Sequence, residues 1–265
     1  MSDRRKTPLV TNRPGQWRAG SIYAHDETTG AIAYEGPELE LVGPLVRELV
    51  DDLNADEATP QLVRAAMAHL NLVMIHPFRD GNGRMARCLQ SLVLARGGLL
   101  SPVFMSIEEY LGRNTDAYHG VLAEVGKGGW HPEHDARPWL RFTLTAHLRQ
   151  ARTMLRRVKE SERLWLQLET VLDGKRLPYR TIYALFDAAH GLRVRNSTYR
   201  AELADKDGIT LQTATRDLAE LVGAGLLVAR GQARGRHYVA GPALRDLSKA
   251  IIDARDPRDD SDPFG

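Results

Sequence analysis

Apolar residues recur at three- and four-residue spacing along most of the chain, which is the pattern of amphipathic helices. The first such run extends from Leu39 to Leu53. A second run ends at Ile75, and Thr59 and Pro60 suit the N-cap and the first turn of its helix. This second run is apolar on all sides, which indicates a buried central helix. Further helices are predicted from about Arg84 to Gly97, from Ser106 through Tyr110, and from about Pro138 to Arg157.

A different pattern covers residues 16–35, ahead of the first helix. Trp17 and Tyr23 precede a polar cluster at residues 26–30, and Tyr34 follows this cluster. Short apolar segments on both sides of a turn-rich cluster predict a β-hairpin. The expected fold class is therefore mainly α, with one hairpin in front of the helices.

The last third of the chain predicts a second module, in which helices are followed by strands. Helices are expected at Thr181–Ala189 and Thr198–Lys206, and Thr210 suits the N-cap of a third helix. Two short strands, joined by a glycine- and arginine-rich turn, follow this helix. The stretch from Thr210 to Val239 resembles the recognition helix and the wing of the winged helix-turn-helix superfamily.

This resemblance implies a DNA-binding surface on the second module. The residues expected to contact DNA are Gln212, Thr213, Thr215 and Arg216 in a groove, and Arg230, Arg234 and Arg236 on phosphates. Acidic residues weaken the basic face around the helices: Glu202, Asp205, Asp207, Asp217 and Glu220. Winged helices also serve as platforms for protein docking or dimerisation, so that alternative and a homodimer stay open.

Charge and composition add three constraints. The 265-residue chain carries a net charge of +2, but residues 174–255 hold 14 Lys and Arg against 8 Asp and Glu, so this segment carries +6 and the rest −4. The single cysteine, Cys88, excludes an internal disulfide and a cysteine-cluster zinc site, and we expect it in the core. Residues 1–14 lack an apolar signal segment, and no apolar run approaches the roughly 20 residues that cross a bilayer, which predicts a cytoplasmic protein without a membrane partner.

The stretch HPFRDGNGRMAR, residues 76–87, interrupts the apolar pattern directly after the buried helix. Pro77 prevents this helix from continuing, and a glycine-permitted curve at residues 81–83 leads into the next one. Free backbone N–H groups at a helix start form a cradle suited to phosphate. Arg84 and Arg87 are three residues apart, so both fall on one helix face beside that cradle.

Two further side chains of this stretch suit phosphate chemistry. Asp80 is a hard carboxylate ligand of the kind that Mg²⁺ takes when it bridges phosphate oxygens. His76 can accept a proton from a hydroxyl group near neutral pH. The stretch therefore predicts a phosphate site that combines a metal ligand, a base and two cations.

Neither a Walker phosphate loop nor an H-E-x-x-H zinc motif occurs in the chain. Residues 76–87 instead resemble the signature of the Fic family, H-x-F-x-[DE]-G-N-G-R-x-x-R, and match it at every defined position. The likeness covers about residues 15–157, and the added C-terminal winged helix is similar to a common architecture of that family. The resemblance implies a helical core that transfers AMP from ATP to a hydroxyl group of a target protein and releases pyrophosphate.

The resemblance also implies a role for each motif residue. His76 is expected to deprotonate the target hydroxyl, Phe78 to seat the loop in the core, and Asp80 to bind Mg²⁺. The expected phosphate ligands are the anion hole of Gly81, Asn82 (with its side chain) and Gly83, and the cations Arg84 and Arg87. The hairpin around residues 17–34 resembles the family's flap, which holds a target segment by strand addition.

Other interpretations stay open at this point. The chain could be a DNA-binding transcriptional regulator, or a regulator of the toxin–antitoxin kind, whose Fic core binds nucleotide without transferring it. The intact G-N-G-R disfavours the phosphotransferase variant of the family. The inhibitory motif [ST]-x-x-x-E-[GN] of many relatives is not in this sequence, since Ala31 stands four residues before Glu35-Gly36. Control by a separate protein, control by an upstream segment, and no such control are the alternatives.

Three histidines outside the motif invite weaker interpretations. His69 lies seven residues before His76, and we expect it to make a structural hydrogen bond. His131 and His134 are weak evidence for a metal site by themselves. The expected organisation is a flexible arm at 1–14, a Fic catalytic domain with its flap at 15–157, a helical linker at 158–174, a winged helix-turn-helix domain at 175–245 and a disordered tail at 246–265.

Overall fold

The computed structural model describes residues 15–25, 30–55, 58–98, 106–204, 208–255, 257 and 261–265. The predicted N-terminal arm at 1–14 lies outside these residues. The chain divides into two compact units, one of residues 1–154 and 261–265 and the other of residues 155–260. Each unit is mainly helical and contains a two-stranded sheet. Within the described residues, no helix is both long and apolar enough to span a bilayer.

The first unit contains the hairpin and the helices that precede the unit boundary. Its elements are β1 (Tyr23–His25), β2 (Ile32–Glu35), α1 (Leu39–Ala55), α2 (Gln61–Ile75), α3 (Asn82–Arg96), α4 (Glu108–Arg113), α5 (Thr115–Gly126) and the first part of α6 (Arg137–Lys175). The boundary between the units falls within α6. The predicted succession of a hairpin and helices is confirmed.

Helix α2 is the central helix of this unit, as its apolar sequence predicts. Its residues contribute to each of the three apolar clusters of the unit, and Ala65 and Ala66 are fully buried. The predicted N-cap at Thr59 is wrong by one residue, because Pro60 takes this position with an extended backbone and the helix begins at Gln61. Helix α3 begins at Asn82, which is two residues before the predicted start.

The hairpin is antiparallel and is fixed to the helices through β2. Tyr23 pairs with Glu35 and Ala24 with Tyr34, and the register shifts after Ala24. The hydroxyl of the buried Tyr34 donates a hydrogen bond of 2.7 Å to the carbonyl of Met74 in α2. This bond joins the hairpin to the helix that ends at the motif.

Helix α6 is continuous over 39 residues, whereas the sequence predicts a helix to about Arg157 and a separate helical linker at 158–174. The charges at residues 156–163 are compatible with a helix because they pair along its surface, as Arg156 does with Glu160 at 3.7 Å. Leu164, Leu168 and Leu172 then continue a buried stripe at four-residue spacing. The expected linker at 158–174 is therefore part of one long helix.

The second unit folds around one apolar cluster. After the end of α6 it contains α7 (Ile182–Ala189), α8 (Asn196–Glu202), α9 (Leu211–Gly223), β3 (Leu227–Arg230), β4 (His237–Ala240) and α10 (Pro242–Asp253). The two strands pair antiparallel from Leu227↔Ala240 to Arg230↔His237. The predicted order of three helices and a hairpin is confirmed, although α8 ends at Glu202 rather than at Lys206.

The expected disorder from residue 246 is wrong for residues 246–253, which belong to α10. Pro242 suits the first turn of this helix, where its missing N–H has no intrahelical partner to lose. Leu244 is buried, and Leu247 and Ile251 pack against the same apolar cluster. This apolar spacing of three and four residues stabilises the helix despite its charged sequence.

Candidate active site

His76 ends helix α2 in the left-handed region of backbone space, with φ 49° and ψ 55°. Its N–H still donates a hydrogen bond of 3.1 Å to the carbonyl of Leu72. Few non-glycine residues adopt this conformation, although histidine is among those that do so more often. The turn directs the chain into Pro77 and away from the helix axis.

The imidazole of His76 is held in one tautomer. Its Nδ1 lies 3.1 Å from the carbonyl oxygen of Val73, which can only accept, so Nδ1 carries the proton and Nε2 keeps its lone pair. Burial lowers the pKa of His76, the bond to Val73 opposes this shift, and the positive charge of Arg18 adds to it. The ring is therefore neutral near pH 7 and can accept a proton at Nε2.

Arg18 supports the motif turn, and sequence reasoning missed it. Its side chain is buried, and its Nε donates a hydrogen bond of 3.1 Å to the carbonyl of His76. The same guanidinium bonds the carbonyls of Gly20 and Pro37, and the backbone N–H of Arg18 bonds that of Pro77 at 2.9 Å. Burial lowers the pKa of Arg18. One arginine beside a tryptophan is a weak sequence signal.

Asn82 closes the loop between the two helices. Its Oδ1 accepts from the N–H of Phe78 at 2.9 Å, and its Nδ2 donates to the carbonyl of Phe78 at 2.7 Å. Asn82 is buried, so both ends of its amide are used inside the loop. The structure thus gives this side chain a role in shaping the loop, and its expected contact with a phosphate stays a prediction. The Phe78 ring is half-buried and lies 5.4 Å from the Trp17 ring, outside the main apolar clusters.

The start of α3 has the backbone geometry of a glycine curve that leads into a helix, as the expected cradle requires. Gly81 has φ 87°, and its carbonyl accepts the N–H of Met85 at 2.9 Å. The N–H groups of the first helical residues, 82–84, precede this bond and have no acceptor within the helix. A Cβ on Gly81 would lie 3.4 Å from Nη2 of Arg84, and one on Gly83 would lie 3.5 Å from Nη1 of Arg87. Both guanidinium groups therefore flank the glycine curve.

Each arginine of the motif pairs with a carboxylate. Arg84 lies 3.2 Å from Asp80, and both side chains are 72% exposed, so water screens this pair. Arg87 bonds Glu108 at 2.7 Å through Nε, which leaves its Nη1 beside Gly83. An exposed carboxylate next to a phosphate cradle is the ligand type that Mg²⁺ takes, so Asp80 fits the expected metal role.

Behind Arg87 lies a buried chain of hydrogen bonds in which every direction is consistent. The Tyr118 hydroxyl lies 3.1 Å from Nε2 of His69. The Nδ1 of His69 lies 2.6 Å from Oε1 of Gln90, and Nε2 of Gln90 lies 2.9 Å from Nε2 of His147. The amide nitrogen of Gln90 donates to Nε2 of His147, so this imidazole is neutral, and burial lowers the pKa of His69, so its imidazole is neutral near pH 7 as well. The predicted structural role of His69 is confirmed.

Cys88 follows Arg87 on α3 and is exposed, so the expected core position is wrong. The next residue, Leu89, packs against the apolar clusters instead. The helix turns by about 100° per residue, so neighbours of a buried residue face different surroundings.

Several of the α9 side chains that are predicted to contact DNA already make hydrogen bonds within the chain. Gln212 and Arg216 are exposed, and Arg216 bonds Glu220 at 2.9 Å. Thr210 is the N-cap of α9, because its Oγ1 accepts the backbone N–H of Thr213 at 3.1 Å, which confirms the predicted N-cap. The hydroxyl of Thr215 donates to the carbonyl of Leu211 at 2.8 Å and accepts from an asparagine amide.

The hairpin residues and one acid complete this surface. Arg230 and Arg236 are exposed, and Arg236 lies over the Tyr238 ring at 5.9 Å. The side chain of Arg234 lies outside the described residues. Asp217 does not weaken the basic face as expected, because it is 1% exposed and bonds Arg180 at 2.7 Å and Tyr199 at 2.9 Å.

Comparison with known proteins agrees with this motif. Residues 6–94 match the model of the Fic/DOC family. Protein adenylyltransferase fic-1 of Caenorhabditis elegans is 39% identical over 127 residues, which are 47% of this chain and 22% of that protein. The protein of the same name in Caenorhabditis briggsae is 36% identical over the same shares. The matched part thus spans about a fifth of the length of these relatives.

A solved structure of a Fic family protein from Desulfovibrio desulfuricans G20 aligns with 89% of this chain and 65% of its own chain. The TM-score is 0.49 and the sequence identity is 21%. The family match covers the hairpin, the helix that ends at His76, the glycine curve and both arginines. Residues 6–94 of this chain are therefore similar to the Fic/DOC family, and 127 residues of the chain are similar to proteins named protein adenylyltransferases.

Proposed function

We propose that the first unit is a protein adenylyltransferase that uses ATP and Mg²⁺. The observation that carries this proposal is the neutral imidazole of His76, with its Nε2 lone pair available, on the same short loop as a glycine cradle flanked by two guanidinium groups. A base and a phosphate site on one loop are the minimum for transfer of a nucleotide to a hydroxyl group. The names of the relatives support this class of reaction.

In the proposed step, a hydroxyl oxygen of the target protein attacks the α-phosphorus of ATP. The hydroxyl proton goes to Nε2 of His76, a bond forms between the target oxygen and the α-phosphorus, and the bond from this phosphorus to the bridging oxygen breaks. Pyrophosphate leaves with the electron pair. The carbonyl of Val73 keeps the other nitrogen protonated, so the resulting imidazolium stays oriented by the same bond.

The cradle would bind the phosphates through the N–H groups at the start of α3, with Arg84 and Arg87 on the outer phosphates. Mg²⁺ bound at Asp80 would neutralise charge on the phosphates and on the leaving group. The bond between Glu108 and Nε of Arg87 leaves Nη1 of that arginine, beside Gly83, for a phosphate. The chain's own contribution is mostly positioning and charge stabilisation.

The hairpin of β1 and β2 is proposed to dock an extended segment of the target. Its edge strand is short, and backbone pairing makes few demands on sequence. Docking of a target protein on the hairpin and a homodimer of the chain stay predictions, as does a cytoplasmic location.

The test is incubation of the purified chain with α-labelled ATP, Mg²⁺ and a cell lysate. His76→Ala is expected to lower the labelling of protein by about 100-fold or more, because general base catalysis alone supplies about that factor. Binding of ATP should survive, since His76 is not part of the cradle. The matched control is His119→Ala, which removes an exposed histidine of the same unit. Labelling by His76→Ala at the wild-type rate would contradict the proposal.

A second function is proposed for the second unit, which we interpret as a winged helix that binds DNA. The supporting observation is a surface with exposed Gln212 and Arg216 on α9 and exposed Arg230 and Arg236 on the hairpin. Burial of Asp217 removes one negative charge from that surface. A band shift of duplex DNA that weakens with rising salt tests this function, and it separates a regulator without transfer activity from an enzyme.

A further inference from the structure

A compact turn at residues 131–134 holds three side chains that can bind a metal ion. His131, Glu133 and His134 each offer a ligand atom, and these atoms all lie within 4.8 Å of one another. The N–H of His134 bonds the carbonyl of His131 at 3.1 Å, which closes the turn. Nδ1 of His131 lies 3.1 Å from Oε1 of Glu133, and the two histidine rings are 4.7 Å apart. Four consecutive residues therefore bring three donors together.

The tautomer of His134 suits metal binding. Nδ1 of His134 lies 3.0 Å from the carbonyl oxygen of Val125, so it carries the proton and Nε2 keeps its lone pair. A ligating histidine usually bonds a carbonyl or a carboxylate through its other nitrogen in this way.

Both sides of the turn are fixed to the core of the first unit. Trp130, directly before it, packs against two apolar clusters. Trp139, shortly after it, is fully buried and donates a hydrogen bond of 2.8 Å from its ring nitrogen to the carbonyl of Ala66. The backbone is therefore in place before any ion arrives, and binding requires only small rotations of the side chains.

We propose that His131, Glu133 and His134 bind one transition-metal ion of the Zn²⁺ class. In a tetrahedral site with metal–nitrogen distances of about 2.0 Å, neighbouring ligand atoms lie about 3.3 Å apart, which these side chains can reach from their present separation. Two imidazoles and one carboxylate favour Zn²⁺, Ni²⁺ or Cu²⁺ over Mg²⁺ and Ca²⁺, which prefer oxygen ligands. The site is separate from Asp80 and does not depend on the proposed transfer reaction.

The bound ion would also stabilise β2 of the hairpin. The carbonyl of Gly128, three residues before His131, accepts the N–H of Glu35 at 3.0 Å, and Tyr34 forms a bridge with Gly128. An ion bound at residues 131–134 restricts the motion of the neighbouring backbone at Gly128. Because Gly128 bonds Glu35, the restriction extends to β2. Metal binding is therefore expected to slow hydrogen exchange at the amide of Glu35.

The experiment is titration of the untagged full chain, free of metal, with Zn²⁺ against a chromophoric chelator, together with the visible spectrum of the Co²⁺ form. The wild type is expected to bind one equivalent in preference to the chelator, in the presence of excess Mg²⁺. His131→Ala and His134→Ala should each weaken binding at least about tenfold, because each removes a ligand. The matched control His119→Ala removes an exposed histidine outside the turn and should leave the titration unchanged.

Three results would overturn the site: no competition with the chelator, binding of the same strength in His131→Ala and His134→Ala, or equal loss in His119→Ala. Circular dichroism of each variant checks that it is folded, which is expected because His131 and Glu133 are exposed. Exchange at Glu35 that is slowed by Zn²⁺ in the wild type and not in His134→Ala supports the link to the hairpin. Equal exchange with and without Zn²⁺ overturns that link alone.

Discussion

The motif loop of the first unit and the exposed face of α9 in the second are both rich in polar side chains, but they are held in different ways. In the loop, Arg18 bonds His76 across 58 residues, and Arg87 bonds Glu108 across 21. On α9, the hydrogen bonds of the polar residues are mostly local, such as the one from Arg216 to Glu220, four residues away. The geometry of the loop therefore depends on the whole unit, whereas the face depends mainly on its own helix.

The largest expected difference between the two units is the effect of acid on their stability. Burial lowers the pKa of both His69 and His147 to about 4, against an ordinary value of 6.5. The unfolded chain then binds more protons than the folded one between these values, so the first unit loses stability as the pH falls from about 6.5 towards 4. Each histidine contributes up to about 3 kcal/mol to this loss. In the described part of the second unit, His190 is exposed and His237 is half-buried.

Urea unfolding at several pH values measures this difference. The variant Trp165→Phe confines tryptophan fluorescence to Trp17, Trp130 and Trp139, all of which lie in the first unit. The control His147→Gln keeps an acceptor for the Gln90 amide and removes one titrating group, so it should reduce the slope of stability against pH. Equal slopes for this control and its parent would show that buried histidines do not cause the loss.

Asn82→Leu is expected to have the next largest effect, because it removes both bonds that close the loop on Phe78. A displaced loop should lower the rate of AMP transfer by about 100-fold, as small misplacements of catalytic groups do. The measurement is the initial rate of protein labelling by α-labelled ATP. The matched control is Asn114→Ala, which loses a similar bond to a backbone carbonyl away from the motif. An unchanged rate in Asn82→Leu would mean that the loop keeps its shape without the two hydrogen bonds between Asn82 and Phe78.

The same contrast decides how much the sequence could predict. His76, Gly81 and Arg84 belong to one continuous motif, so their roles could be proposed from residue types and spacing. Arg18 and Glu108 could not, because their contacts with the motif join distant parts of the chain and follow no period. The hydrogen bonds of the Asn82 amide to the backbone of Phe78 could not be predicted for a different reason. An amide side chain can bind a phosphate and a backbone equally well.

In the second unit, the errors of prediction come from charged residues that were expected to be exposed or irregular, and not from contacts between distant parts of the chain. Asp217 reads as a surface acid but is buried, because Arg180 and Tyr199 satisfy its oxygens. The charged segment 246–253 was expected to belong to a disordered tail, yet it is helical. The expected helical linker at 158–174 is helical, but it continues the preceding helix without a break. A charged run predicts exposure of one helix face, and it does not by itself predict an irregular backbone.

The smallest effects are expected from single arginines on the proposed DNA surface. Arg236→Ala should remove about one phosphate contact, weaken duplex binding severalfold and lower the slope of affinity against salt by about 1. Arg216→Ala should do less, because Arg216 must give up its ion pair with Glu220 before it binds a phosphate. Fluorescence anisotropy of a labelled duplex at several salt concentrations measures both effects, with Arg47→Ala in the first unit as the control. Equal slopes of affinity against salt for Arg236→Ala and Arg47→Ala would show that the hairpin is not part of the DNA interface. The interface would then consist only of the exposed face of α9, whose hydrogen bonds are mostly local.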